Sequence, residues 1–166
     1  MTNRQLAIEV VSEFMKSAPV DLNGLVNRLG LEVIFDRGLD NGISGIIERT
    51  SRGFRIRINA KHHPNRQRFT LAHEIAHYVL HRDLIETSVT DTALYRSEAL
   101  SDDMERQANN FAAGLIMPAS LVRGKWEEGL TTEQGMAAAF QVSSEAARIR
   151  MKELRLGQPF SKLFDR

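Results

Sequence analysis

Leu6, Val10 and Phe14 share one helical face while Arg4, Glu9 and Glu13 fall elsewhere, so the first segment predicts an amphipathic surface helix. Asp21 then offers an N-cap for a short helix over 22–29, and Gly30 a C-cap. Three short apolar runs follow, at 31–35, 43–47 and 54–58, and the last alternates strictly as Phe-Arg-Ile-Arg-Ile. These predict strands, the third with Arg55 and Arg57 on a wet face. The link 49–53 has the length and glycine of a hairpin loop, so the second and third strands should be antiparallel. From Asn65, a possible cap after Pro64, the run RQRFTLAHEIAHYVLHR has no breaker and is apolar around almost its whole circumference, which predicts a buried central helix.

Residues 82–96 show no clear period and are expected to form a long loop that shapes a substrate cleft. A second long helix should start near Ser97 or Ser101, carry the stripe Met104, Ala108, Phe111 and Leu115, and stop at Pro118. Strands followed by helices, rather than alternating with them, predict an α+β fold. About three strands form a small antiparallel sheet packed on the central helix, flanked by N-terminal helices and a C-terminal helical bundle.

A chain of 166 residues fits one ordinary domain with a small appendage. Its 42% apolar and 26% charged residues are those of a globular protein. No stretch approaches the roughly 18 apolar residues of a membrane span, and the first helix lacks the continuous apolar core of a signal peptide. The expected location is therefore the cytoplasm. A net charge of +1 gives no global attraction to nucleic acid. The absence of cysteine excludes disulfides and thiolate metal sites, leaving His, Asp and Glu as possible ligands.

That restriction directs attention to HEIAH at 73–77. On a helix, residues four apart lie about 5–6 Å from each other on one face, so His73 and His77 can share one ion. Glu74 is turned about 100° from His73, which suits it to hold a water and act as general base rather than as a ligand. A short pattern of this kind also arises by chance. Here, however, it sits in a buried helix, where two imidazoles and a carboxylate would be costly without a metal. Catalytic zinc usually takes three protein ligands. Glu105 on the following helix is the leading candidate for the third, on a face of small and polar residues with Ala108, Asn109 and Ala112. His81, one turn beyond His77, is the rival. Tyr78, His81, Tyr95 and Arg96 are candidates to stabilise an oxyanion.

The blocks RFTLAHEIAHYVLH at 68–81 and ERQANNFAAGLIMP at 105–118 resemble the ImmA/IrrE family of bacterial metallopeptidases, most clearly over about 50–120. The resemblance implies a zincin-like core with a two-histidine, one-glutamate zinc site: His73, His77 and Glu105 as ligands, Glu74 as base. It also implies that the partner is a helix-turn-helix transcriptional repressor.

Farther on, Thr131 and Gln134 read as a capping box before MAAAF, and QVSS turns into a segment carrying Arg148, Arg150, Lys152 and Arg155. The pattern resembles a helix-turn-helix and divides the chain into a peptidase domain at 1–120 and a helical subdomain at 121–166. Glu145 and Glu153 dilute the basic face, which argues against DNA contact. The expectation is thus a cytoplasmic zinc endopeptidase that makes site-specific cuts in a repressor and relieves repression. The alternative is a non-proteolytic regulator that binds a repressor or DNA and keeps a structural metal.

Overall fold

The alternating strand, the capped short helix and the all-round apolar helix each become an element of the fold. A computed structural model describes residues 3–85 and 102–157. Helices α1 (Asn3–Phe14) and α2 (Leu22–Leu29) lead into strands β1 (Leu31–Asp36), β2 (Gly45–Thr50) and β3 (Gly53–Asn59). Helix α3 (Pro64–His81) follows and ends in a 3-10 turn at Arg82–Leu84. After residue 101 come α4 (Asp102–Ile116), α5 (Ala119–Glu127), α6 (Glu133–Phe140) and α7 (Ser144–Glu153). The fold is α+β, as expected. The loop expected at 82–96 lies outside the described residues from 86 onward, as does the predicted helix start at Ser97 or Ser101.

The sheet order is β1-β3-β2. β2 and β3 are antiparallel from Gly45↔Ile58 to Thr50↔Gly53, which leaves Ser51 and Arg52 as the turn. β1 and β3, however, run parallel from Leu31↔Phe54 to Asp36↔Asn59, so the sheet is mixed rather than wholly antiparallel. Chemistry on β3 explains why it lies in the middle. Ile56 and Ile58 are fully buried on one face. On the other face, Arg55 pairs with Glu32 of β1 at 2.8 Å and Glu48 of β2 at 3.6 Å, and Arg57 with Asp36 of β1 at 2.5 Å. A strand carrying two cations is best placed between two strands carrying acids. The Arg57 guanidinium holds the Asp36 carboxyl below the usual carboxylate range.

β2 starts two residues later than the apolar run suggested because the chain before it is committed elsewhere. Ile43 N–H donates to Asp40 O, and the buried Asn59 amide donates to Asp40 O at 3.0 Å and to Ile43 O at 2.8 Å. Asn59 thereby pins the 40–44 segment against the sheet.

α3 buries Leu71, Ala72, Ile75, Ala76 and Val79 and packs against β2, β3 and α4. Its cap is His63, whose Nδ1 accepts from Asn65 N–H at 3.2 Å, with Pro64 as first helical residue. Asn65, expected as the cap, instead donates its side-chain amide to Val142 O at 3.0 Å and ties α3 to the C-terminal helices. Asp21 and Gly30 cap α2 as predicted: Asp21 accepts from Gly24 N–H, and Gly30 adopts φ 70°. On α4 the fully buried Ala108 and Ala112 let α3 approach closely. Thr132, not Thr131, caps α6 by accepting from Gly135 N–H, and Ser143 caps α7. Met136, Phe140, Ala147 and Met151 join the same apolar cluster as the α3 core. Among the described residues no helix is long and apolar enough to cross a membrane.

Candidate metal centre

Because α3 is buried and regular, the i, i+4 spacing of HEIAH becomes an actual juxtaposition. His73 Nε2 and His77 Nε2 lie 2.9 Å apart. From α4, Glu105 brings Oε2 within 3.3 Å of His73 Nε2 and Oε1 within 3.3 Å of His77 Nε2. Three potential ligand atoms, one from each residue, all lie within 4.8 Å of one another. With metal–ligand distances of about 2.0–2.1 Å, tetrahedral ligands on zinc sit roughly 3.3 Å apart, so the spacing fits such an ion. His77 is 2% exposed at its side chain, His73 15% and Glu105 41%, so the imidazoles form the floor and the carboxylate the rim.

The orientation of His73 also fits a metal. Its Nδ1 lies 3.0 Å from Asn109 Oδ1, an acceptor, so Nδ1 is the nitrogen that donates there and Nε2 is the one turned toward Glu105 and His77. The sequence placed Asn109 on the small, polar face of α4 but gave it no role. Its spacing of four from Glu105 was the available signal.

His81 does not join the trio. Its Nδ1 lies 3.3 Å from His77 Nδ1, the ring nitrogen that faces away from Glu105, and its Nε2 lies 3.3 Å from Gln107 Oε1. Tyr78 stacks edge-on against Phe54 at 5.2 Å with Arg82 over its ring at 4.9 Å, and it does not line the cleft. Tyr95 and Arg96 lie outside the described residues.

A cleft of about 500 Å³ opens beside the trio. Its near wall is the chain from Gly42 to Ile46, and its far wall includes Phe69, Thr70, His73, Glu74 and Asn109. Glu74, 1% exposed overall, thus lines the cleft next to His73 without belonging to the trio. Arg66, at one end, donates from Nη2 to Ser44 Oγ at 2.8 Å and joins the two walls.

At Gly45, β2 packs closely on α3. A Cβ there would sit 2.4 Å from Thr70 Cγ2 and 3.1 Å from Glu74 Oε1. Gly45→Ala should therefore lose about 1–3 kcal/mol in denaturant unfolding, as other overpacked sites do. Adding Thr70→Ser, which deletes the clashing methyl but keeps the hydroxyl bond to Arg66 O, should recover part of that loss, the contacts with Glu74 Oε1 at 3.1 Å and Arg57 O at 3.2 Å remaining. Equal stability of Gly45→Ala and the wild type would show that β2 can move away from α3.

The family model described as IrrE N-terminal-like domain matches residues 26–152. The chain is 27% identical to the metallopeptidase ImmA of Bacillus subtilis over 113 residues, which is 67% of this chain and 64% of that protein. It is 43% identical over 68 residues to the radiation response metalloprotease IrrE of Deinococcus deserti, covering 40% of this chain and 24% of that one. The aligned part therefore spans less than two-thirds of the Bacillus protein and about a quarter of the Deinococcus protein. A solved Mycobacterium tuberculosis transcriptional regulator shares the fold at a TM-score of 0.57 and 16% identity, covering 94% of this chain and 48% of that one.

Proposed function

The chain belongs to the ImmA/IrrE family of metallopeptidases, which implies a metal ion, and from that premise we propose that it is a cytoplasmic zinc endopeptidase. The observation that carries the proposal is the convergence of His73, His77 and Glu105 beside a cleft that Glu74 also lines. In this reading the three residues hold the ion and Glu74 is the catalytic base. Zinc, when bound, supplies Lewis acidity toward the scissile carbonyl and toward water. Glu74 takes the proton of the attacking water on its carboxylate and delivers it to the leaving amine. Its burial keeps competing solvent away from that proton.

The substrate lies extended along the outer edge of β2. That strand is at the sheet's edge and its beginning forms one wall of the cleft, so a peptide can borrow main-chain hydrogen bonds there. The partner is a helix-turn-helix repressor whose cleavage relieves repression. Residues 1–120 form the peptidase unit and 121–166 a helix-turn-helix-like subdomain docked on it. Arg148 and Arg150 of α7 favour a structural or protein-facing role for that subdomain over DNA contact. Arg148 is paired with Glu145 at 2.5 Å, while Arg150 donates to Met117 O at 3.0 Å and pairs with Glu153 at 3.1 Å. Their charge is neutralised locally.

The test is incubation of the purified, zinc-loaded chain with a helix-turn-helix repressor encoded beside its gene, followed by mass spectrometry of the products. One or a few internal cuts, lost on chelation and restored by zinc, are expected. Tight binding of an uncut repressor would replace the peptidase reading with that of a regulator.

A further inference from the structure

His77 is oriented by a run of polar side chains that ends on the surface of α4. Asp103 Oδ2 accepts from Gln107 Nε2 at 2.7 Å. Gln107 Oε1 lies 3.3 Å from His81 Nε2, and His81 Nδ1 lies 3.3 Å from His77 Nδ1. The spacing is i, i+4 on both helices, 103 and 107 on α4 against 77 and 81 on α3, so the four side chains meet where the helices pack.

Each link needs one donor and one acceptor, and this fixes the direction of the whole run. A carboxylate offers only lone pairs, so Gln107 turns its amide N–H to Asp103 and its carbonyl oxygen to His81. That oxygen can only accept, which places the His81 proton on Nε2. A neutral imidazole protonated at Nε2 is unprotonated at Nδ1, so His77 must donate to it from its own Nδ1. The remaining nitrogen of His77, Nε2, is then unprotonated, and it is the atom that faces His73 and Glu105. His73 reaches the same state through Asn109. Two imidazole lone pairs and a carboxylate therefore converge, an arrangement that a cation relieves.

We infer that Asp103, Gln107 and His81 form a positioning relay that holds His77 as the metal-binding tautomer, so that His81 is neither a ligand nor an oxyanion donor. The inference rests on the metal centre proposed above. Outer-shell partners of this kind typically contribute 10- to 100-fold to metal affinity.

Zinc affinity of the full chain, measured by competition with a chelator, tests the relay, with the electronic spectrum of the cobalt-substituted protein as a second readout. His81→Leu should weaken zinc binding by about 10- to 100-fold and alter the cobalt spectrum. His81→Asn, whose Oδ1 can accept from His77 Nδ1, should return the affinity to within a few-fold of wild type. Gln107→Leu, on an exposed helix position where folding is not at risk, should weaken binding in the same direction by less, because water can replace the amide. If both leucine variants bind zinc like the wild type, or if asparagine fails to rescue, the relay is wrong while the metal centre stands. A wild type that takes up no zinc would overturn the metal centre and the relay together.

Discussion

Glu74→Gln is expected to abolish peptide cleavage and leave the zinc in place. The two side chains have nearly the same size, so the 1% exposed position next to His73 can accept the amide without repacking. The amide cannot take up the proton of an attacking water. Positioned proton transfer contributes about 10²–10⁴-fold to such reactions, roughly 3–5 kcal/mol of barrier, and kcat should fall by that much. Metal content should be unchanged because Glu74 is outside the trio of His73, His77 and Glu105. Elemental analysis and single-turnover cleavage of the repressor, run on the same preparation, separate the two effects. Cleavage at close to the wild-type rate with zinc bound would remove Glu74 as the base.

How much of this site could be read from the sequence depended on whether a local rule decided it. His73, Glu74 and His77 lie within one helical turn and a half, and their relation follows from helix geometry once α3 is recognised by its all-round apolar surface. Asp21 and Gly30 mark the ends of α2 for the same reason, since a cap is a contact between residues three or four apart. The strict alternation of Phe54, Ile56 and Ile58 likewise identified β3. Other features depended on tertiary choices that no short window encodes. The parallel pairing of β1 with β3 follows from which strand inserts in the middle: β3 buries Ile56 and Ile58 completely, and its Arg55 meets Glu32 and Glu48 on either side while Arg57 meets Asp36 of β1. Asn65 had the right chemistry for a cap but was drawn to Val142 O, far along the chain, which left the cap to His63. Asn109 and Gln107 could be placed on α4, yet which histidine each one meets depends on how α4 is rotated against α3. The ordering residues of the site were thus invisible for a physical reason: they act across the interface between two helices, where periodicity along either helix says nothing about register.

That same interface makes Glu105 the residue whose loss should be felt most in the metal. Glu105→Ala leaves only His73 and His77, and two imidazoles do not make up the three protein ligands a catalytic zinc normally takes. The change also removes the negative charge that lies 3.3 Å from both Nε2 atoms. Zinc should fall well below one per chain after dialysis, and cleavage with it. Because Glu105 is 41% exposed at its side chain and Ala is a good helix former, the α3–α4 packing through Ala108 and Ala112 should survive. Linkage gives an independent reading. A ligand that binds only the folded chain stabilises it by about 2.7 kcal/mol at a hundred times its Kd, so chelation should lower the Tm of the wild type. The Tm of Glu105→Ala should hardly respond, since it has little metal to lose. Glu105→Gln distinguishes charge from contact: it keeps an oxygen at the rim but not the anion, and its zinc affinity should fall between the other two. An alanine variant that retained one zinc at wild-type affinity would show that α4 contributes the wall of the cleft but not the third ligand.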